Sequence, residues 1–397
     1  MNLAPVMDIN SNPHNPVIGA RSYGEDTATA VRYGIRAVDG YRDENMACCL
    51  KHFPGHGDTA VDSHLGLPVV HKSLEDLARS ELIPFQKGIE AGAPAIMTAH
   101  IQFPLIETQK IPATMSRTII TGLLREKMGF DGIIISDCME MSAIAQYYGT
   151  VHGAVEAVKA GVDLICVSHT VMFAIEAAEQ IYKDVQDGKI SAKEFEASGV
   201  RIQKYKTFYD KIEKAKESTE IIADKKIVEH EIAWMRFRTI RQYRQDAKKI
   251  SALGNNPLFI SCKDYRTANV ADQVIENVSF AEFMQMQAEC GQVILTSQDP
   301  QKEEIQRILN SCTGKKYTAV VYGLYNGHIK NGQLVLAKAF AAEAERQKCP
   351  MIAVTLKDPY DLDEMPENVV RITGWEYSVP QFVEIWRYLN QSMQKEE

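Results

Sequence analysis

Five times in the first half of the chain, an apolar run of five to seven residues is followed by a stretch with helical periodicity. The runs are Asn2–Asp8, Ala47–His52, Ala95–His100, Gly132–Asp137 and Leu164–Ser168. The stretches between and after them are about Asp26–Val38, Ser73–Ala91, Ser116–Met128, Ser142–Ala160 and Val171–Asp187. Runs this uniformly apolar belong to strands covered on both faces, which is how parallel strands read. Parallel neighbours need a crossover, and a helix of this length supplies it. The chain is therefore predicted to open with a parallel α/β fold, open or barrel-shaped. Ser73 with Asp76 three residues on, and Ser116, mark helix starts. Gly92, Gly129 and Gly188 stand where helices are expected to stop.

In such folds the carboxyl ends of the strands carry the active site. Here every strand end is polar: Asp8, Lys51-His52, His100, Asp137 and Ser168-His169. Beyond Asn255 a second α/β pattern follows. Its strands are predicted at Pro257–Ser261, Val293–Thr296, Thr318–Gly323, Met351–Thr355 and Val369–Thr373, with helices at about Pro300–Asn310, Gln333–Arg346 and Pro380–Asn390. This half shows no comparable gathering of His and carboxylates at strand ends.

Between the halves the chain is helical and charged. Arg236, Arg238, Arg241, Arg244, Lys248 and Lys249 interleave with Trp234, Phe237 and Tyr243. A solvated basic face explains this stretch better than a nucleic-acid patch, because the whole chain carries a net charge of -8. No nucleic-acid partner is expected. With 397 residues, 45% of them hydrophobic, the chain can bury a large core, which excludes disorder as its main state. No apolar run reaches the ~18 residues of a membrane span. None of the eight cysteines forms a C-x-x-C pair, and several lie inside apolar runs, so buried thiols and a reducing, cytoplasmic setting are expected.

The segment richest in chemistry is Lys51–Pro68, KHFPGHGDTAVDSHLGLP. Pro54, Gly55 and Gly57 prevent a helix, so His52 and His56 are not an i,i+4 metal pair. In extended backbone Asp62 and His64 point to one side, so the carboxylate can orient the imidazole and raise its basicity, the arrangement of a general acid/base. Ser63 points the other way, which counts against a Ser-His-Asp triad. Asp137, at the end of the apolar run GIIIS, could serve as nucleophile, base or metal ligand. Structural alternatives stand beside each reading. Asp62–His64 could be a loop-stabilising bond, Asp137 a helix N-cap, and His56 and His100 packing residues. Arg21 could be a surface ion pair, Lys51-His52 ordinary strand-end residues, and Cys138 a small packing residue. A metal site from His52, His56, Asp58, Asp62 and His64 is possible in composition but matches no ligand spacing, so neither metal nor cofactor is expected.

Four motifs, NLAPVMDINSNPHNPVIGARSYG, KHFPGHGDTAVDSHLGLP, IMTAHIQFP and GIIISDCMEM, resemble glycoside hydrolase family 3, and specifically its bacterial β-N-acetylhexosaminidase branch. The likeness spans about Asn2 to Lys211 and continues more weakly through VVYGLYNGHIKNGQ and AVTLKDPYDL. It implies a TIM-type barrel followed by a smaller α/β-sandwich domain. The expected division is 1–212 for the barrel domain, 213–254 for a charged helical linker and 255–397 for the sandwich. The family's barrel has further strands before NLAPVMDIN. Five units in about 210 residues, where a barrel takes ~250, therefore imply an incomplete barrel lacking its first strands.

The resemblance also implies a retaining hydrolase of terminal β-linked N-acetylglucosamine, acting on a small oligosaccharide or muropeptide-type substrate. Asp137 would be the nucleophile forming a covalent glycosyl-enzyme, His64 paired with Asp62 the acid/base, and Arg21, Lys51 and His52 the sugar-binding residues. A His in place of a Glu repels phosphate less, so a β-N-acetylglucosaminide phosphorylase is an alternative. The incomplete barrel makes a vestigial, non-catalytic sugar-binding protein another.

Overall fold

The computed structural model describes residues 1–60, 66–216, 225–244, 250–263 and 278–394. The chain divides into two compact units, Met1–Ile221 and Ile222–Glu397.

The sheet of the first unit contains β1 (Cys49–Phe53), β2 (Ala95–Thr98), β3 (Ile133–Cys138) and β4 (Leu164–Cys166), all parallel and ordered as they occur in the chain. The predicted strand Asn2–Asp8 lies extended beside β1 but bridges it only at Asn2–Cys48 and Val6–Lys51. Pro5 explains the gap: it has no N–H to give to a ladder, though its carbonyl still accepts from Lys51 N at 3.1 Å. The sheet does not close on itself among the described residues.

One face of this sheet is packed by the helices. Val38 of Thr27–Asp43, Phe85 of Leu82–Glu90, Ile120 of Thr118–Lys127 and Ala157 of Thr150–Ala160 share a core with Leu50, Ile96 and Ile134. The other face carries a smaller cluster, Cys49, Ala95, Met97, Ile133 and Ile135, against which Tyr205 of Ala192–Lys216 packs. Strands in chain order with their crossover helices on one face make a singly wound, barrel-type sheet.

Two predicted helices are interrupted. Ser73–Ala91 breaks into Leu74–Arg79 and Leu82–Glu90. Pro84 causes this, because its ring clashes with the carbonyl four residues back, at Ser80. Ser142–Ala160 breaks into Ser142–Ala145 and Thr150–Ala160 at Gly149, whose φ of 80° a side chain rarely adopts.

The second unit holds β5 (Arg241–Gln242), β6 (Leu258–Cys262), β7 (Gln292–Thr296), β8 (Val320–Leu324), β9 (Met351–Thr355) and β10 (Val370–Thr373). Their order is β5-β10-β9-β8-β6-β7, parallel except for β5 against β10. The reversal at β6 marks a doubly wound sheet. Its two faces have separate cores, one around Phe259, Val321 and Ile352, the other around Ile260, Tyr322 and Phe340.

The segment expected to be a linker, 213–254, contains Lys225–Thr239 and β5, which lie in the second unit. The basic run is partly neutralised there: Arg236 meets Glu376 at 3.4 Å, Arg244 meets Asp363 at 3.1 Å, and Arg238 lies over the Trp234 ring. Lys248 and Lys249 fall outside the described residues. The helix Phe280–Ala288 was not predicted, although Ser279 and Glu282 form the capping box that announces it. Nor was the pairing of His328 with Asp361, whose Nδ1 and Oδ1 are 2.6 Å apart beyond β8 and β9. Its partners lie 33 residues apart in sequence, so no local pattern reveals them. Among the described residues no helix is long and apolar enough to cross a membrane.

Asp163, at the foot of β4, ties the first unit together. Its buried carboxylate takes hydrogen bonds from Arg125, from Arg201 (2.8 Å) and from the Ile134 N–H (2.8 Å). Asp163→Ala leaves two partly buried guanidinium groups unpaired and is expected to cost about 3 kcal/mol of stability, read as a lowered midpoint in chemical denaturation.

Candidate active site

The strand ends of the first unit converge on one buried carboxylate. Asp8 is 1% exposed and accepts hydrogen bonds from His52 Nδ1 (2.7 Å), from the His52 N–H (3.1 Å) and from the His56 N–H (2.7 Å). Burial alone would raise its pKa, but the histidines and the His56 N–H outweigh it and hold the carboxyl below its ordinary range. Asp8 thus fixes both the orientation of the His52 ring and the path of the following loop. At the far side of the ring, Nε2 faces Arg21 Nη2 at 3.4 Å.

The loop after β1 is built on close contacts. A Cβ at Gly57 would lie 1.6 Å from the Ile9 carbonyl oxygen, so only glycine lets the two segments touch. Asn15 anchors the same loop by donating to the His56 carbonyl at 2.8 Å. His56 is buried with Nδ1 2.9 Å from the Thr59 hydroxyl. Burial, with His52 beside it, pushes its pKa down to about 4. His56 is therefore neutral at pH 7 and packs the loop.

Asp137 is the penultimate residue of β3, where the pairing with β4 becomes irregular. Burial disfavours its charge, but His52, His100, the Cys138 N–H and Lys51 together hold it below the ordinary carboxylate range. The N–H bond is 2.7 Å long. No helix starts directly after Asp137, so the N-cap alternative does not describe it. His100 is held by Thr114 at Nδ1 (2.9 Å) and by the Cys138 carbonyl at Nε2 (3.0 Å), which steadies the backbone next to Asp137. Lys51 is half-buried; desolvation and Arg21 lower its pKa against the opposing pull of Asp137. Burial raises the Cys49 thiol, and burial with Asp137 raises Cys166 to about 11, so both stay neutral beside the carboxylate.

Of the residues singled out from the sequence, Arg21, Lys51, His52 and Asp137 are thus brought together at the strand ends. Asp62 and His64 lie outside the described residues. Asp8, His100 and Thr114 are additional members. Their signal was positional, since Asp8 and His100 end apolar runs, while Thr114 carries none. Among the described residues no group of three His, Cys, Asp or Glu is arranged to hold a metal ion.

An ionised carboxylate thus stands near the end of a parallel strand with His, Lys and Arg around it. Comparison with known proteins identifies the class. Residues 1–205 match the glycosyl hydrolase family 3 N-terminal domain, and the chain belongs to that family. It is 37% identical over 224 residues to beta-hexosaminidase A of Pseudoalteromonas piscicida, covering 52% of this chain and 38% of that protein. It is 38% identical over 180 residues to the beta-hexosaminidase of Thiobacillus denitrificans, covering 45% of this chain and 48% of that one. The matches therefore span less than half the length of either relative. A glycoside hydrolase family 3 β-N-acetylglucosaminidase from Paenibacillus sp. superposes with a TM-score of 0.83 at 31% identity, covering 99% of this chain and 74% of that one.

The depressed His56 pKa sets a pH dependence. The unfolded chain takes up this proton near pH 6.5, whereas the folded one resists until about pH 4. Protons thus bind the unfolded state more strongly in that window, and stability is lost as pH falls through it. A loss of about 3 kcal/mol between pH 6.5 and 4 is expected from denaturant unfolding, and His56→Gln is expected to remove that component of the slope.

Proposed function

We propose that the first unit carries a retaining β-N-acetylhexosaminidase site that hydrolyses terminal β-linked N-acetylglucosamine from small oligosaccharides or muropeptide-type fragments. The observation that carries this reading is the ionised Asp137, partly shielded from water and kept charged by His52, His100 and Lys51. A nucleophile for an anomeric carbon must be unprotonated and partly desolvated, and that is its condition.

Asp137 attacks the anomeric carbon and forms the glycosyl-enzyme. His64, steadied by Asp62, protonates the departing oxygen and then takes a proton from the incoming water. Arg21, Lys51 and His52 hydrogen-bond sugar hydroxyls. Asp8 acts at one remove, since the same bond that depresses its own pKa fixes the ring of His52. None of the eight cysteines is in a disulfide, which supports a reducing, cytoplasmic setting for this chemistry.

The test is labelling combined with turnover. A fluorinated N-acetylglucosaminyl analogue with a good leaving group is expected to leave its sugar on Asp137, located by peptide mass spectrometry. Asp137→Asn is expected to lower turnover of an aryl N-acetyl-β-glucosaminide by about a thousandfold or more. Full turnover in that variant, or label on another residue, overturns the proposal. Product analysis with added phosphate separates hydrolysis from phosphorolysis: free sugar supports the first, sugar 1-phosphate the second.

A further inference from the structure

Two stems lead into and out of the segment that bears Asp62 and His64, and each is held separately. The incoming stem, through Thr59, is anchored by Asn12, which donates to the Thr59 carbonyl, and by Asn15, which reaches the His56 carbonyl and the Thr59 hydroxyl. The outgoing stem runs alongside Gln102: Val70 N donates to its carbonyl at 2.9 Å, and its own N–H donates to the Pro68 carbonyl at 2.9 Å. These two anchors fix each stem to its own neighbour and not to the other.

Among the described residues, the Lys72 side chain crosses between them. Lys72 Nζ, on the outgoing stem, lies 2.8 Å from Asp58 Oδ2 on the incoming stem and 2.5 Å from Glu81 Oε1. Thirteen residues of chain separate Asp58 from Lys72, yet the ammonium brings them into contact. Glu81 is not a passive neighbour. It is 4% exposed, accepts a second bond from the Ser80 hydroxyl, and lies at the break that Pro84 makes in the helix pair. Its Cβ is also where a side chain at Gly55 would collide, 2.9 Å away, so Glu81 packs directly against the loop's first turn. Burial opposes the charge of Lys72, but its bonds to Asp58 and Glu81 outweigh this and raise its pKa, so the tie persists at neutral pH.

We propose that Lys72 is a positioning residue for the acid/base: by bridging Asp58 and Glu81 it sets the separation of the two stems between which the acid/base segment runs. The inference rests on the acid/base role given to His64 above. Its consequence is selective. Nucleophilic attack by Asp137 does not depend on the tie. Proton donation to the leaving oxygen does, because proton transfer requires heavy atoms within hydrogen-bond reach.

The experiment uses the full chain and two aryl N-acetyl-β-glucosaminides, one with a 2,4-dinitrophenyl leaving group that departs without a proton and one with a phenyl group that needs it. Lys72→Met is expected to leave kcat/KM for the first within about twofold and to lower it for the second by about tenfold or more. Lys72→Arg is expected to restore most of the loss. His64→Ala is the reference, with a larger loss of the same leaving-group dependence. If Lys72→Met fails to fold, Asp58→Asn cuts the tie at its more exposed end and is read in the same way. Equal loss on both substrates marks Lys72 as merely structural and overturns the inference. So does a Lys72→Met variant like wild type on both while His64→Ala shows the dependence. A His64→Ala variant without leaving-group dependence, or a wild-type chain inert on both substrates, overturns the acid/base reading itself and the inference with it.

Discussion

The first unit is organised around a single buried charge. Asp8 has almost no contact with water, so its ionised form survives only because three N–H groups point at it, one from the backbone of β1, one from the backbone of the loop after it and one from the His52 ring. That requirement works in both directions. The carboxylate needs the donors, and the loop, bent by Pro54, Gly55 and Gly57 into a path with no regular ladder, needs somewhere to send its N–H groups. One interaction therefore joins the extended N-terminal segment to the histidine-rich loop and aims His52 toward Arg21. The rest of the site is assembled on this junction, with His100 and Asp137 arriving from the next two strand ends.

The two units show how similar local patterns yield different sheets. Both read as alternating apolar strands and amphipathic helices. In the first, every crossover helix lands on the same face, the strands keep chain order, and the polar strand ends line up along one edge. In the second, the order reverses at β6 and helices cover both faces, each with its own core. Convergence of several strand ends on one point favours the singly wound unit as the site of chemistry. The His328–Asp361 pair shows that the second unit also buries polar groups at its strand ends.

Much of the fold was legible from the sequence because strand and helix periods are local. The apolar runs at Ala47, Ala95, Gly132 and Leu164 each mark a strand to within a few residues. The errors have local physical causes too. Pro5 thins the ladder of the first strand, Pro84 splits a helix at Ser80, and Gly149 splits another. The helix that begins after Ser279 is missed because the apolar pattern alone does not show it, although its capping box stands in the sequence. Of the site, Arg21, Lys51, His52 and Asp137 were legible because they stand in motifs or at strand ends. Thr114 and the ties made by Lys72 were not, since their meaning depends on partners 9 to 16 residues away or farther.

By itself the sequence determined where most of the strands lie, that the apolar runs pair in parallel, and which residues can carry charge or protons near their ends, because backbone preference and side-chain chemistry belong to each residue. Only the tertiary structure decided that Asp8 stays ionised in the core, that His56 stays neutral, that Asp137 keeps its charge, and that Lys72 joins the two stems of one loop. Those outcomes depend on solvent exclusion and on distances between charges, and neither exists until segments far apart in the chain are packed together.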